Sequence, residues 1–188
     1  MRRRTFDLIL TATGLVLTIV LLVAGALLAW GYNFANTSVH DQLAAQQIYF
    51  PAAGSDALKS PEIGPYLNKY AGQQLVTGEQ AKAYADHFIA VHLKEVAGGK
   101  TYAQASAAAQ ADPSNAQLQG QVATLFKGET LRGLLLNAYA FGKIAQIALY
   151  ASIASFILGG LMLILTVLGF LHLRRRAGDE EIFAGAKA

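Results

Sequence analysis

Residues 8–30 read LILTATGLVLTIVLLVAGALLAW, a run of 23 residues without a charge. At about 1.5 Å per residue a helix of that length crosses a hydrocarbon core of about 30 Å. A second run, IALYASIASFILGGLMLILTVLGFL at residues 147–171, is equally uncharged. A soluble helix this long would show a polar face at a 3.6-residue period, and neither run has one. The expected fold is therefore an all-α membrane protein, in which two antiparallel transmembrane helices extend into a small extracytoplasmic helical domain.

Charge placement orients the spans. Arg2, Arg3 and Arg4 precede the first run, Asp7 abuts it, and Arg174, Arg175 and Arg176 follow the second. Residues 31–143 hold eight basic and eight acidic side chains, so the formal net charge of +3 comes from the membrane flanks. A basic excess confined there gives no electrostatic footprint for nucleic acid. By the positive-inside rule both arginine clusters stay in the cytoplasm. The expected order is a cytoplasmic N-terminus (1–7), span one (8–30), an extracytoplasmic domain (31–146), span two (147–171) and a cytoplasmic tail (172–188), in a bacterial plasma membrane. Trp30, Tyr32 and Phe34 would mark the outer end of the first span, and Tyr139, Phe141 and Tyr150 that of the second. A cleaved signal peptide, with Ala24-Gly25-Ala26 as its small-residue site, is the rival reading of the start. The apolar run continues past that site to Trp30, which favours a retained anchor.

Each span carries a stripe of small and hydroxyl residues. Thr11, Gly14, Thr18 and Gly25 are spaced 3, 4 and 7 apart; Ser152, Ser155, Gly159, Thr166 and Gly169 are spaced 3, 4, 7 and 3. Small residues let helix backbones approach closely in lipid, and this spacing suits a left-handed pair. Antiparallel pairing would set Thr11 and Gly14 near Thr166 and Gly169, and Gly25 near Ser152 and Ser155. Pairing of two copies through the same stripes is equally permitted.

Between the spans the pattern is helical. The first helix is expected to run on toward Pro51, since residues 32–50 lack glycine and proline. Three prolines and two glycines make residues 51–65 an expected irregular loop, with a short helix at 66–70. Thr77-Gly78-Glu79-Gln80 reads as a capping box opening a helix over 78–96, closed by Gly98-Gly99. On that helix Ala85, Phe88, Ile89 and Val96 would share the apolar face, with His92 beside them as an interior residue. Thr101-Tyr102-Ala103-Gln104 repeats the capping signature before an alanine-rich helix. Ser114 is the expected cap of a further helix to Phe126. Gly128 should interrupt it, with Glu129 starting the helix that continues into the second span. Nothing alternates with period two, so no strand is expected.

Chemistry is sparse. Cysteine is absent, which removes disulfides, thiolate metal sites and thiol nucleophiles. His87, His92 and Glu95 are the candidate metal ligands. On an α-helix the two histidines stand about 140° apart at about 100° per residue, whereas a zincin-type face needs a spacing of four. Ser106 and Ser114 lie in no strand–turn–helix elbow. Asp86, Glu95, Asp112 and Glu129 stand singly, as solvated or capping carboxylates. Neither span holds an ionisable residue in its core, so no ion path through the chain is expected. No cofactor is expected either. Lys127, Glu129 and Arg132 form the one polar cluster read as a possible partner surface; a helix start favourable to Glu129 is the plainer reading.

The segments RRTFDLIL at residues 3–10, YADHFIAVHLKE at 84–95 and FKGETLRGLLLNAY at 126–139 resemble a family of small two-span membrane proteins from actinobacteria. The resemblance covers nearly the whole chain and implies bacterial origin and membrane location. Some such proteins carry the label of aromatic ring-opening dioxygenase, for which these residues offer no iron-ligand set.

The expected function is that of a non-enzymatic envelope protein. It would be an accessory or scaffolding subunit that sits in the lipid bilayer and contacts a protein partner, or a second copy, through its spans or outer domain. An extracytoplasmic ligand sensor with a cytoplasmic signalling partner is the alternative; a pocket lined by Tyr84, Phe88, His92 and Tyr102 would favour it. A metal-dependent envelope enzyme using His87, His92 and Glu95 is the third reading.

Overall fold

A computed structural model describes residues 3–175. Arg2 and residues 176–188, with Arg176 and the end of the expected cytoplasmic tail, lie outside the described residues. The elements are α1 (Arg3–Ala45), α2 (Asp56–Lys59), α3 (Gly64–Leu67) with a 3-10 turn at Asn68–Tyr70, α4 (Gly78–Tyr84), a π-helical turn (Ala85–Ile89), α5 (Ala90–Val96), α6 (Tyr102–Ala111) and α7 (Ala116–Arg175). No strand occurs among the described residues; an isolated bridge pairs Tyr49 with Gln74. The protein is all-helical, with two long apolar helices near its ends and a smaller helical region between them. It spans the membrane twice.

The chain divides into two compact units. The span unit takes α1 up to Asn33 and α7 from Gln146. There the two helices pack antiparallel through small residues. A Cβ built on Gly14 would lie 2.9 Å from Thr166 Oγ1, and one on Gly169 would lie 2.7 Å from Thr11 Oγ1. Gly25 meets the Phe156 ring, and Gly159 meets Leu22. Ser152 Oγ donates to the Gly25 carbonyl at 2.8 Å across the pair. Thr11 and Thr18 instead donate back to Asp7 and Gly14 carbonyls of their own helix, which satisfies buried hydroxyls where no water reaches. The large apolar side chains of both helices point outward, as lipid requires: Leu10, Val16, Leu27, Ile157 and Leu165 are all exposed.

The helical domain comprises Phe34–Ala145. Its core gathers Val39 and Leu43 of α1, then Phe50, Leu58, Ile63, Leu67 and Leu75, and closes on Leu125 and Leu135 of α7. Leu67 and Leu75 are wholly buried; each such side chain contributes about 1.5–3 kcal/mol. Both capping boxes form as their spacing predicts, Thr77 with Gln80 and Thr101 with Gln104.

Several sequence expectations need correction. The first helix stops at Ala45, short of Pro51. Gln47 takes a left-handed conformation (φ 52°) and its N–H closes the last turn on the Ala44 carbonyl at 3.1 Å; Gln74 Nε2 donates to the same carbonyl at 2.9 Å, so a distant side chain braces the helix end. The loop at 51–65 contains α2 and the start of α3, and the helix expected at 66–70 is the end of α3 plus its 3-10 turn. Asn115, not Ser114, caps α7, its Oδ1 accepting from Leu118 N. Ser114 Oγ turns to Asp112. Gly128 does not interrupt α7, and Glu129 begins no helix. A Cβ at 128 would overlap the side chain of Leu93, so this glycine is a packing site and not a breaker.

The helix over 78–96 is not regular either. Its π turn, with Ala90 N–H bonding Ala85 O, holds one extra residue and underwinds the helix. In consequence Ala81, Ala85, Ile89, Leu93 and Ala97 stay buried at a strict spacing of four. A regular α-helix would carry the last of these about 160° round from the first. Val96 and His92, expected inside, are therefore turned outward.

Candidate functional site

The polar chemistry of the helical domain collects where the α4–α5 helix crosses α7 antiparallel. Gly78 opens the crossing: a Cβ there would stand 3.1 Å from Tyr139 Cα, so only glycine lets the backbones meet. Beside it Glu79 pairs with Lys143. One turn on, Lys82 sits 5.4 Å from the Tyr139 ring centroid and pairs with Asp86. Asp86 also faces Arg132 at 3.4 Å, and Arg132 reaches Glu129 at 3.4 Å along its own helix. Further along, the seam turns apolar where Leu93 fits over Gly128. Gln121 Nε2 ends it with a 3.2 Å bond to the Val96 carbonyl.

Asp86 is the centre of this set. Burial alone would push its carboxyl up. The hydrogen bond and charge of Lys82, joined by those of Arg132, outweigh burial and hold it below the usual 3.8. Lys82 is raised in turn, first through its hydrogen bond to Asp86. A carboxylate locked ionised between two cations is poorly matched to proton transfer near neutrality, where a general acid or base needs a pKa close to the working pH. Its evident work is to tie the π turn to α7. In the sequence Asp86 stands as a lone carboxylate, because its α7 partner lies 46 residues away. The Lys82/Asp86 spacing of four was the local signal available.

An aromatic chain flanks the seam. Phe50 contacts Tyr70 and Tyr84 at centroid distances of 5.1 and 5.4 Å, Tyr84 contacts Phe88 at 4.7 Å, and Phe88 contacts His92 at 4.4 Å. Burial pushes the Tyr84 phenol up. Tyr102 does not join; it pairs with Phe126 of α7 at 6.0 Å. The rings pack directly against one another.

The candidate metal ligands are not brought together. His87 stacks flat on Tyr66 at 3.5 Å. His92 Nδ1 bonds the Phe88 carbonyl at 2.7 Å, so that nitrogen carries the proton. Glu95 is exposed. Among the described residues no group of three His, Asp or Glu side chains is placed to hold a metal ion. Ser106 accepts from Gln110 and lines a shallow groove with Pro113, Gln119 and Val122.

Of the polar cluster at 127–133, Lys127 and Glu129 are exposed, whereas Arg132 is half-buried in its ion pairs. The larger surface feature beside it is apolar. Leu131, Leu134, Phe141 and Ile144 of α7 are exposed, Leu134 by 63%. Tyr139, expected as a membrane-interface anchor, instead faces Lys82 and Lys143 within the domain. Trp30 and Tyr150 are exposed on the span unit.

No protein-family model matches the chain, and neither a curated protein nor a solved structure matches it.

Proposed function

We propose that this two-span protein holds both termini in the cytoplasm and presents its helical domain outside as a docking module, an accessory or scaffolding subunit rather than an enzyme. The observation that carries the reading is the exposed set Leu131, Leu134, Phe141 and Ile144 on α7. Leu131 with Leu134, and Phe141 with Ile144, are i, i+3 neighbours on the helix surface, and exposed apolar side chains clustered in this way mark sites that another molecule covers. Leu134 precedes the uncharged run at Ile147 by more than three helical turns, so lipid does not account for it. The orientation is supported by Arg3, Arg4, Arg174 and Arg175, which flank the spans on the side away from the domain. The bacterial origin implied by the sequence resemblance fits this placement.

A photo-activated crosslinker at residue 134 tests the docking role in intact cells. The expected result is a discrete adduct, with a foreign chain or a second copy, that is missing when the crosslinker sits at exposed Lys59. Adducts of equal yield from both positions would refute it. The sensor alternative draws less support, because Tyr84, Phe88 and His92 fill their space with one another and Tyr102 packs elsewhere.

A further inference from the structure

Gly120 lies inside α7, where glycine destabilises a helix relative to alanine. No close packing calls for it: nothing lies within 4 Å of a Cβ built there. The Thr124 hydroxyl donates back to the Gly120 carbonyl at 3.0 Å, a bond that weakens and bends helices. Gly98 and Gly99, ahead of α6, form a second soft point, both left-handed with φ 57° and 80°. The two points adjoin, because Gln121 Nε2 donates to the Val96 carbonyl at 3.2 Å.

Residues 100–119, between these points, are tied to themselves. Thr101 and Gln104 cap α6, Ser114 Oγ and Asn115 Nδ2 donate to Asp112 in the turn, and Gln119 Nε2 donates across to the Ala109 carbonyl at 2.9 Å. Their hold on the rest of the domain is slight. α6 carries no charged side chain, the side chains it buries are Ala105 and Ala109, and Tyr102 meets Phe126 at 6.0 Å. A groove lined by Ser106, Ala109 and Gln110 of α6 and by Val122 of α7 remains unfilled. The α4–α5 helix, by contrast, buries Ile89 and Leu93 and shares ion pairs with α7. Segments with few buried apolar contacts are those that open first.

We propose that residues 100–119 are a hinged helical flap, which swings as one body about Gly98-Gly99 and Gly120 and uncovers the α7 flank at Val122 and Phe126. Opening breaks the α7 helix at Gly120 and leaves the bonds inside the flap intact.

Native-state hydrogen exchange on the full chain in mild detergent tests this. The amides of residues 121–124 should report the opening, since their bonds to the preceding turn cross Gly120. G120A should raise their protection about fivefold, the helix preference of alanine over glycine expressed as a ratio. G133A, whose methyl is equally free of neighbours, lies outside the flap and should leave that protection unchanged. A second reading uses the buried position 105 in this cysteine-free chain. At low maleimide concentration, where labelling follows the open fraction, A105C should react more slowly than A107C at an exposed position. Adding G120A should slow A105C about fivefold further, and adding G133A should not. Equal effects of G120A and G133A would mean that these groups are exposed by global unfolding. That result, no effect of G120A, or a thiol in A105C as reactive as that in A107C would each overturn the flap.

Discussion

Gly128 and Gly133 lie five residues apart in the same helix, and substituting alanine at each should move stability in opposite directions. The helical gain is common to both: alanine is about 1 kcal/mol better than glycine in a helix interior. At 133 nothing lies within 4 Å of the added methyl, so Gly133→Ala should stabilise by about that amount. At 128 the methyl overlaps the Leu93 side chain, which is only 7% exposed and sits in the core. Overpacking there costs about 1–3 kcal/mol, so Gly128→Ala should come out neutral to about 2 kcal/mol destabilising. The gap between the variants is thus about 1–3 kcal/mol, with the helix contribution cancelled. At about 4 °C per kcal/mol for a domain of this size the two Tm values should differ by several degrees. Far-UV circular dichroism of the detergent-solubilised chain measures it. A double-mutant cycle sharpens the result, because in a Leu93→Ala background the methyl at 128 fills space and should no longer destabilise. Gly128→Ala raising Tm as much as Gly133→Ala, or keeping its full cost without the Leu93 side chain, would refute the packing role of this glycine.

Other predictions concern the span pair and the seam. A Cβ on Gly14 would lie 3.9 Å from Thr166 Cβ, inside the disulfide range of roughly 3.5–4.5 Å. G14C/T166C in this cysteine-free chain should therefore oxidise within one molecule; a crosslinked dimer on a non-reducing gel would contradict the hairpin. Ser152→Ala should cost the pair about 0.6–1.7 kcal/mol by removing the bond to the Gly25 carbonyl, read as easier steric trapping or a lower Tm; an unchanged value would show that packing alone holds the helices. Asp86 is depressed, so its contribution is present above its unfolded value of 3.8 and is lost as pH falls through the lower folded one. Lys82 is raised, so its share persists below 10.5 and is lost as pH rises past its folded value. Tm against pH should thus hold a plateau between these limits and fall at both ends. Asp86→Asn should remove the acid-side fall that Asp86 causes and lower the plateau by about 1 kcal/mol, these being partly exposed pairs. A variant profile parallel to wild type across the acid range would count against it.

Sequence alone determined the elements whose energetics are local. Transfer of an uncharged 23-residue helix into hydrocarbon needs no partner, so both spans were legible from composition and length. The capping boxes at Thr77 and Thr101 were equally legible, since their bonds close over three residues. Tertiary structure decided everything that depends on what lies opposite. Gly128 reads as a helix breaker until Leu93 is set over it. The α1 terminus is braced by Gln74, 30 residues away. Asp86 has only Lys82 of its own helix until α7 delivers Arg132. The π turn is the clearest case. Regular α periodicity makes His92 interior and Val96 buried, but one extra residue in a single turn keeps a four-residue spacing on the core face and turns both outward. That bulge forms because burying Ile89, Leu93 and Ala97 together in the core outweighs the poorer hydrogen bonding of one wide turn, a balance that local sequence cannot express.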